Sequence, residues 1–473
     1  GERLRAEKDG LEKQLGECQA QIAALRAKPR LTTAERTELA SIEEKRDRLV
    51  GDIERAGERI RRIESAPVKT VPARITVAKG EALLAYHIGT RSSDLFVIAG
   101  GSSQVRAYPL DVPDAAAARL GIPAGPLARA TLAQILSGVD ATGKATGMGV
   151  LRELSEPVVS AASNSITARA RTQMQERLHA LFTVLMPPAV WKSVHSVREV
   201  TIVPDGPLAT FPFEACVVAG EKTDPVVFWL DDGPAIRYVP SIATLDALTR
   251  AAQPAAAKDV LSVCNPTYAS SGASALAPLP GTTRETDAVV SAFGKNRVTV
   301  LLGDAATEAA VRSAMPGKAV IHLATHGLVD QRRSDLLAAL AFTPGQSSSH
   351  DLGDDGFLHL FEIDDASIAA QLVVLSACES STGNYVLGEG VMAMSRGFLS
   401  AGARRVVATE WKVDDDATAS LVGDFMARVA KGEHARGGVD YTLALRDAKR
   451  TVRRSDAWSQ PFYWAAFVLT GIR

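Results

Sequence analysis

Two stretches decide the fold: Lys318-Ala-Val-Ile-His-Leu-Ala-Thr-His326-Gly327 and Gln371-Leu-Val-Val-Leu-Ser-Ala-Cys378-Glu379. Each is a largely apolar run of strand length that ends in a reactive residue. Similar runs flank them: Val200–Val203, Val260–Val263, Val298–Leu302, Arg405–Thr409 and Ala466–Leu469. Helical stretches separate these runs, so the spacing predicts an α/β fold with a mainly parallel sheet covered on both faces. In such a sheet, chemistry collects where strands end. The carboxyl ends of Ala319–Leu323 and Leu372–Leu375 are therefore the first places to look.

His326 stands 52 residues upstream of Cys378. A thiol with an ordinary pKa near ~8.5 needs a histidine or another positive field to become an effective nucleophile. Neighbouring strand ends supply that contact. Gly327 lets a substrate backbone approach closely, and its N–H is available to an oxyanion. Cys264 also ends an apolar run, but no histidine-bearing strand end accompanies it, so it reads as core packing. His322 and His326 have the spacing of a helical metal site. On a strand they lie roughly 13 Å apart, from ~3.3 Å per residue, and cannot chelate one ion. His322 is left as a satisfied structural histidine or a support for the site.

Further motifs fall away. Gly138-Val-Asp-Ala-Thr-Gly143-Lys144 imitates a phosphate loop, yet Ala145 replaces the Ser or Thr that would hold magnesium. Asp351-Leu-Gly-Asp-Asp-Gly356 imitates a calcium loop without its closing glutamate. No Gly-x-Ser-x-Gly elbow is present. No metal or organic cofactor is called for.

The chain has 473 residues, 46% hydrophobic and 23% charged, which is ample for a large core and for about three domains. Its formal net charge of −1 gives no cause to expect nucleic acid or an acidic membrane as a direct partner. No apolar run is long enough to span a bilayer. The four cysteines are too scattered for a disulfide framework, so a reducing cytoplasm is the expected compartment. Character changes near Pro67. Residues 1–66 hold 29 of the 107 charged side chains and no aromatic residue, which sets them apart from the rest. Leu4, Leu11, Leu15, Cys18, Ile22 and Leu25 form one seam, Pro29 breaks it, and Thr32 with Glu35 forms a capping box for a second helix. This predicts an antiparallel helical hairpin or coiled-coil arm over 1–66. Gly1 falls inside a charged helical pattern, which reads as the cut end of a longer chain. Short strands are expected at Arg74–Ala78, Ala82–Ile88, Leu95–Ala99 and Val105–Leu110, with a helix near Ala168–Leu185. Pro344–Gly356, rich in Ser, Asp and Gly, reads as a mobile loop that a partner or substrate would order.

A histidine-glycine after one strand and Ser-Ala-Cys ending another about fifty residues later resembles the caspase-like peptidases. The fuller set resembles the CHAT family, relatives of caspases and separase often found behind tetratricopeptide repeats. It rests on Val203-Pro-Asp-Gly-Pro-Leu-Ala-Thr-Phe-Pro-Phe-Glu-Ala215, Leu279-Pro-Gly-Thr-Thr-Arg-Glu285, the two strand ends, Gly388-Glu-Gly390, Trp411-Lys-Val-Asp-Asp-Asp-Ala-Thr418 and Pro461-Phe-Tyr-Trp-Ala-Ala-Phe-Val-Leu-Thr-Gly471. The resemblance implies a caspase-like catalytic half at 241–473. It also implies a degenerate, non-catalytic caspase-like half at 67–240 and an arm at 1–66 that ends a repeat array. It makes His326 and Cys378 the catalytic pair, with Gly327 and the Cys378 N–H as oxyanion donors. Thr409-Glu-Trp-Lys-Val413 becomes the strand beside the substrate. Two positions depart from the pattern: Gln460 where His is expected, and Glu410 where a small or apolar residue is usual.

The reading is a cysteine endopeptidase acting on a protein substrate in a bacterial regulatory or defence pathway. A sensor or activating partner would engage it through upstream repeats or the hairpin. A catalytically silent scaffold and a thiol-dependent transferase are the alternatives. Glu379, Glu410 and Asp414 lie near the presumed pocket with no arginine in the same segments, which predicts cleavage after a basic or large neutral residue rather than aspartate.

Overall fold

The computed structural model describes residues 2–473 apart from 27, 29–30, 65–74, 76, 141–143, 148, 158–163, 220–225, 252–257, 269–275, 329–337, 346–355, 365–367 and 380–388. Of the expected strand at Arg74–Ala78, positions 74 and 76 lie outside that set and the described 75, 77 and 78 are not in a strand; the centres of the Gly138–Lys144 and Pro344–Gly356 segments also lie outside it.

The described strands are β1 (Glu81–Ile88), β2 (Ser93–Ala99), β3 (Val105–Val112), β4 (Gly125–Pro126), β5 (Glu199–Val203), β6 (Val217–Ala219), β7 (Val227–Phe228), β8 (Ala235–Tyr238), β9 (Val260–Pro266), β10 (Val298–Gly303), β11 (Val320–Leu328), β12 (Ala339–Ala341), β13 (Phe357–His359), β14 (Leu372–Glu379), β15 (Arg405–Thr409) and β16 (Phe467–Gly471). All but β6 and β7 join one 14-stranded sheet, in the order β10-β9-β11-β14-β15-β16-β8-β5-β1-β2-β3-β4, with β12 and β13 attached to β11. From β10 to β15 every pairing is parallel. The meander β1-β2-β3 is antiparallel, as is β15 with β16.

The continuous apolar runs have the cause expected of them. On β14, Leu372 and Val374 enter one hydrophobic core while Val373 and Leu375 enter the other. β15 alternates in the same way, with Val407 on one side and Val406 and Ala408 on the other. Strands buried on both faces need apolar residues at every position. The larger core is capped by the helices Asn164–Leu185, Gly281–Phe293, Asp415–Gly432 and Tyr441–Arg453. The helix Glu389–Ser400 lies over the smaller one.

The strand at the chain's end has a position that alternation alone does not reveal. β16 runs antiparallel to β15 and touches β8 in parallel at Thr470 and Tyr238. It thereby joins the strands drawn from residues 81–238 to those drawn from 260–471. β8 is absent from the sequence expectations because it is short, bounded by Pro234 and Pro240, and carries Arg237. That guanidinium is buried and pairs with Glu199 and, at 3.6 Å, with Glu81.

At the N-terminus the helices Glu2–Arg26 and Thr33–Glu64 pack through Leu15, Cys18, Leu49 and Ile53. The capping box forms: the Thr32 N–H donates to Glu35 at 2.7 Å, and the Glu35 N–H donates to the Thr32 hydroxyl at 3.3 Å. Among the described residues, no helix is long and apolar enough to cross a membrane.

Candidate active site

β11 and β14 lie side by side in parallel, and their register runs from Val320 opposite Leu372 to His326 opposite Cys378 and Gly327 opposite Glu379. Adjacent strands are about 4.8 Å apart. The histidine and the cysteine, 52 positions apart in sequence, are therefore level on neighbouring strands at their carboxyl ends. Gly327 is half-buried, lies opposite Glu379 of β14 and also faces Leu340 of β12.

His326 is held from several directions. Its side chain is buried, and Nε2 lies 2.8 Å from the Ala277 carbonyl. A carbonyl only accepts, so Nε2 carries the proton and, in the neutral ring, Nδ1 carries the lone pair. The Tyr268 ring packs against the imidazole with centroids 5.0 Å apart. The Thr325 hydroxyl donates to the Ala341 carbonyl, so Tyr268 is the donor in its 2.9 Å hydrogen bond to Thr325. Burial pushes the Tyr268 phenol up to about 12, keeping it protonated. Burial also pushes the His326 imidazole below its ordinary value, the Ala277 carbonyl opposes that shift, and the charge of Lys412 adds to it. The ring is thereby favoured in the neutral, proton-accepting form.

The carbonyl of Ala277 has its own support. Asn265, the half-buried penultimate residue of β9, has a φ of 43°, a left-handed conformation that Asn tolerates better than most residues. Its side-chain oxygen accepts from the Leu279 N–H at 2.8 Å, and its own N–H donates to the Thr282 hydroxyl at 3.0 Å. The segment carrying Ala277 is thus tied to the end of β9.

His322, four residues back along β11, belongs to a separate polar network. Its Nε2 lies 3.1 Å from Glu285 and its Nδ1 lies 2.9 Å from Ser262, which in turn meets Thr286 at 2.8 Å. All four side chains are buried. The network fastens β11 to β9 and to the helix Gly281–Phe293, and His322 is the satisfied structural histidine of the two readings. Cys264 is fully buried, and burial pushes its thiol up, away from thiolate.

The residues expected beside the substrate divide. Thr409 ends β15, opposite Phe467, and Glu410 follows it with its N–H donating to the Ala466 carbonyl at 2.9 Å. Both are buried. Counting on from Leu375 opposite Ala408, Glu410 stands level with Ala377, next to Cys378. Trp411 packs into the larger core, and its indole N–H donates to the Phe462 carbonyl at 3.0 Å. Asp414 caps the helix Asp415–Gly432, accepting from the N–H groups of Asp416 and Ala417, each at 3.0 Å. Trp411 and Asp414 therefore have structural work that sequence reasoning did not foresee, while Glu379 ends β14 level with Gly327. Tyr268, Ala277 and Lys412 were not foreseen either. Ala277 acts through a main-chain atom, which has no signature in sequence. Tyr268 had one signal, its place just beyond a strand adjacent to β11.

A mainly parallel run of strands flanked by helices, with a histidine and a cysteine level at the ends of two adjacent strands, places the chain in the α/β class. The model of the CHAT domain matches residues 175–472, well over half the sequence, and the chain belongs to that family. Human tetratricopeptide repeat protein 28 is 26% identical over 364 residues, covering 65% of this chain but 14% of the human protein. Yeast separase, in a crystal structure of the Saccharomyces cerevisiae separase–securin complex, superposes with a TM-score of 0.46 and 11% identity over 83% of this chain and 30% of the other. The Arg-specific cysteine proteinase gingipain R gives 0.36 and 10% over 65% of this chain and 68% of its own. The chain spans only a small part of the length of the human protein and of yeast separase.

Proposed function

We propose that the chain is a cysteine endopeptidase in which His326 and Cys378 form the catalytic pair. The observation that carries this is the register of β11 against β14, which sets the two residues level at the strand ends. In the proposed cycle, Nδ1 of His326 takes the Cys378 thiol proton, and the thiolate attacks the scissile carbonyl carbon to form a C–S bond. The N–H groups of Gly327 and Cys378 hold the oxyanion. As the C–N bond breaks, the imidazolium returns its proton to the leaving amine. His326 then removes a proton from water, hydroxide attacks the thioester, and the acid leaves as the thiol is restored. The cycle needs no metal or organic cofactor.

Thr409 and Glu410 would wall the pocket for the residue before the cut, with Glu379 at the mouth and Trp411 and Asp414 holding the wall in place. A buried carboxylate beside the cysteine-bearing strand favours a basic side chain there, because two like charges at ~4 Å and an effective dielectric of ~20 repel by several kcal/mol. We assign catalysis to 241–473, a non-catalytic supporting half to 67–240 and a docking arm to 1–66. The setting proposed is cytoplasmic, in a bacterial regulatory or defence pathway, with a protein substrate and a sensor partner engaged through the arm or upstream repeats. The test is digestion of a denatured proteome, reading new N-termini by mass spectrometry. The intact chain will produce termini that follow basic residues and that Cys378→Ala does not produce. Identical digests from the two proteins would refute the proposal.

A further inference from the structure

At the opposite end of the strands from Cys378, a groove of about 740 Å³ lies between the helix Ile242–Arg250 and the C-terminal turn of the helix Glu389–Ser400. Its floor is the pair of segments that lead into β14 and β15, Ile368–Ala369 and Ala401–Arg404. The walls are mostly apolar: Ala243, Ala247 and Leu248 on one side, Leu399 and Ala403 on the other. Among the described residues that line it, the charged ones are two arginines, Arg396 and Arg404, with no Asp or Glu.

Arg404 is the unusual one. It is only 7% exposed, and its one side-chain hydrogen bond among the described residues is a long 3.3 Å contact from Nη1 to the Ala251 carbonyl. A guanidinium carries five donors, and burying it without a carboxylate is costly. Here it is kept in an apolar groove whose size falls within the range of small-ligand pockets. Arg396, exposed on the helix Glu389–Ser400, supplies a second positive charge on the same groove.

We propose that this groove binds an aliphatic carboxylic acid, with the carboxylate on Arg404 and Arg396 and the hydrocarbon chain along Ala243, Ala247, Leu248 and Leu399. An extended peptide fits less well. Its amides need partners, and among the described residues the lining side chains offer the hydroxyls of Thr244 and Ser400 and the two arginines. A hydrocarbon chain needs none, and a carboxylate matches the planar fork of arginine. The site is independent of the peptidase reading, since none of its residues belongs to the proposed catalytic machinery.

Isothermal titration of the full chain tests it, with dodecanoate below its micellar concentration as the probe and dodecyltrimethylammonium as the cationic control. Dodecanoate will bind saturably at one site, and the cation will not. Arg404→Gln will weaken dodecanoate by about tenfold or more, as expected for loss of a charge-assisted hydrogen bond. Ala247→Trp, at an exposed helix position, will fill the groove and abolish binding. Should Arg404→Gln fail to fold, Arg396→Gln and Ala247→Trp decide the matter, the former weakening and the latter eliminating binding. Equal binding of the cation, absence of saturable binding, or binding unchanged in Ala247→Trp would overturn the proposal. So would tighter binding, competitive with dodecanoate, of an acidic apolar hexapeptide.

Discussion

His326 is pushed towards its neutral form by where it is, and that can be measured at one residue. Burial depresses its pKa, and Lys412 adds to the effect. In the Cys378→Ala protein, where no thiol couples to the ring, the imidazole will titrate below the ordinary ~6.5 when followed by NMR. Lys412→Gln, which removes a repelling charge, will move that titration upward. Stability follows the same group. The unfolded chain binds a proton to this histidine at higher pH than the folded chain does, so stability falls as pH drops from ~6.5 towards the depressed folded value. Glu410 is the second residue-scale test. On matched peptides the wild type will prefer Arg over Leu and Leu over Asp before the cut, and Glu410→Gln will lower the ratio of Arg to Leu cleavage. Preference for Asp would refute a carboxylate-lined pocket.

The elements explain what was legible in the sequence. β11 and β14 could be read because both faces of each are buried, so apolar residues predominate along each, with His322 an interruption in β11 that neighbouring polar groups satisfy. Thr32 and Glu35 could be read because a capping box is a local pattern whose two bonds join residues three apart. β8 could not, since Arg237 interrupts its pattern and the acids that neutralise it lie on β1 and β5. Nor could the support for His326, which comes from the main chain of Ala277 and depends on the turn at Asn265. That turn yields a prediction. Asn265→Ala puts an alanine in a left-handed conformation and removes the acceptor for Leu279, so it will cost about 1–3 kcal/mol in chemical denaturation. It will also lower kcat more than it raises KM, because the histidine loses its orientation while the substrate cleft is untouched. Asn265→Asp keeps an acceptor and will retain most of both. Equal activity in all three proteins would separate the turn from the chemistry.

At the scale of the molecule, β16 is the seam. Near it Arg237 neutralises Glu199 and Glu81, and Arg473 reaches Glu81 at 2.8 Å. Removing one member of a buried ion pair strands the other, so Arg237→Met will destabilise the chain by about 3–5 kcal/mol in urea unfolding. The strands drawn from 81–238 and from 260–471 share one sheet, and a single cooperative transition is expected with it. In the proposed chemistry Cys378 is a nucleophile activated by His326. Covalent labelling of the intact chain by a peptide acyloxymethyl ketone, mapped by mass spectrometry, measures this directly. Modification confined to Cys378, and reduced at least a hundredfold in His326→Ala (an effect of about that order for loss of a general base), is the expected result. Labelling that is absent, falls on Cys264, or proceeds equally in His326→Ala would contradict it.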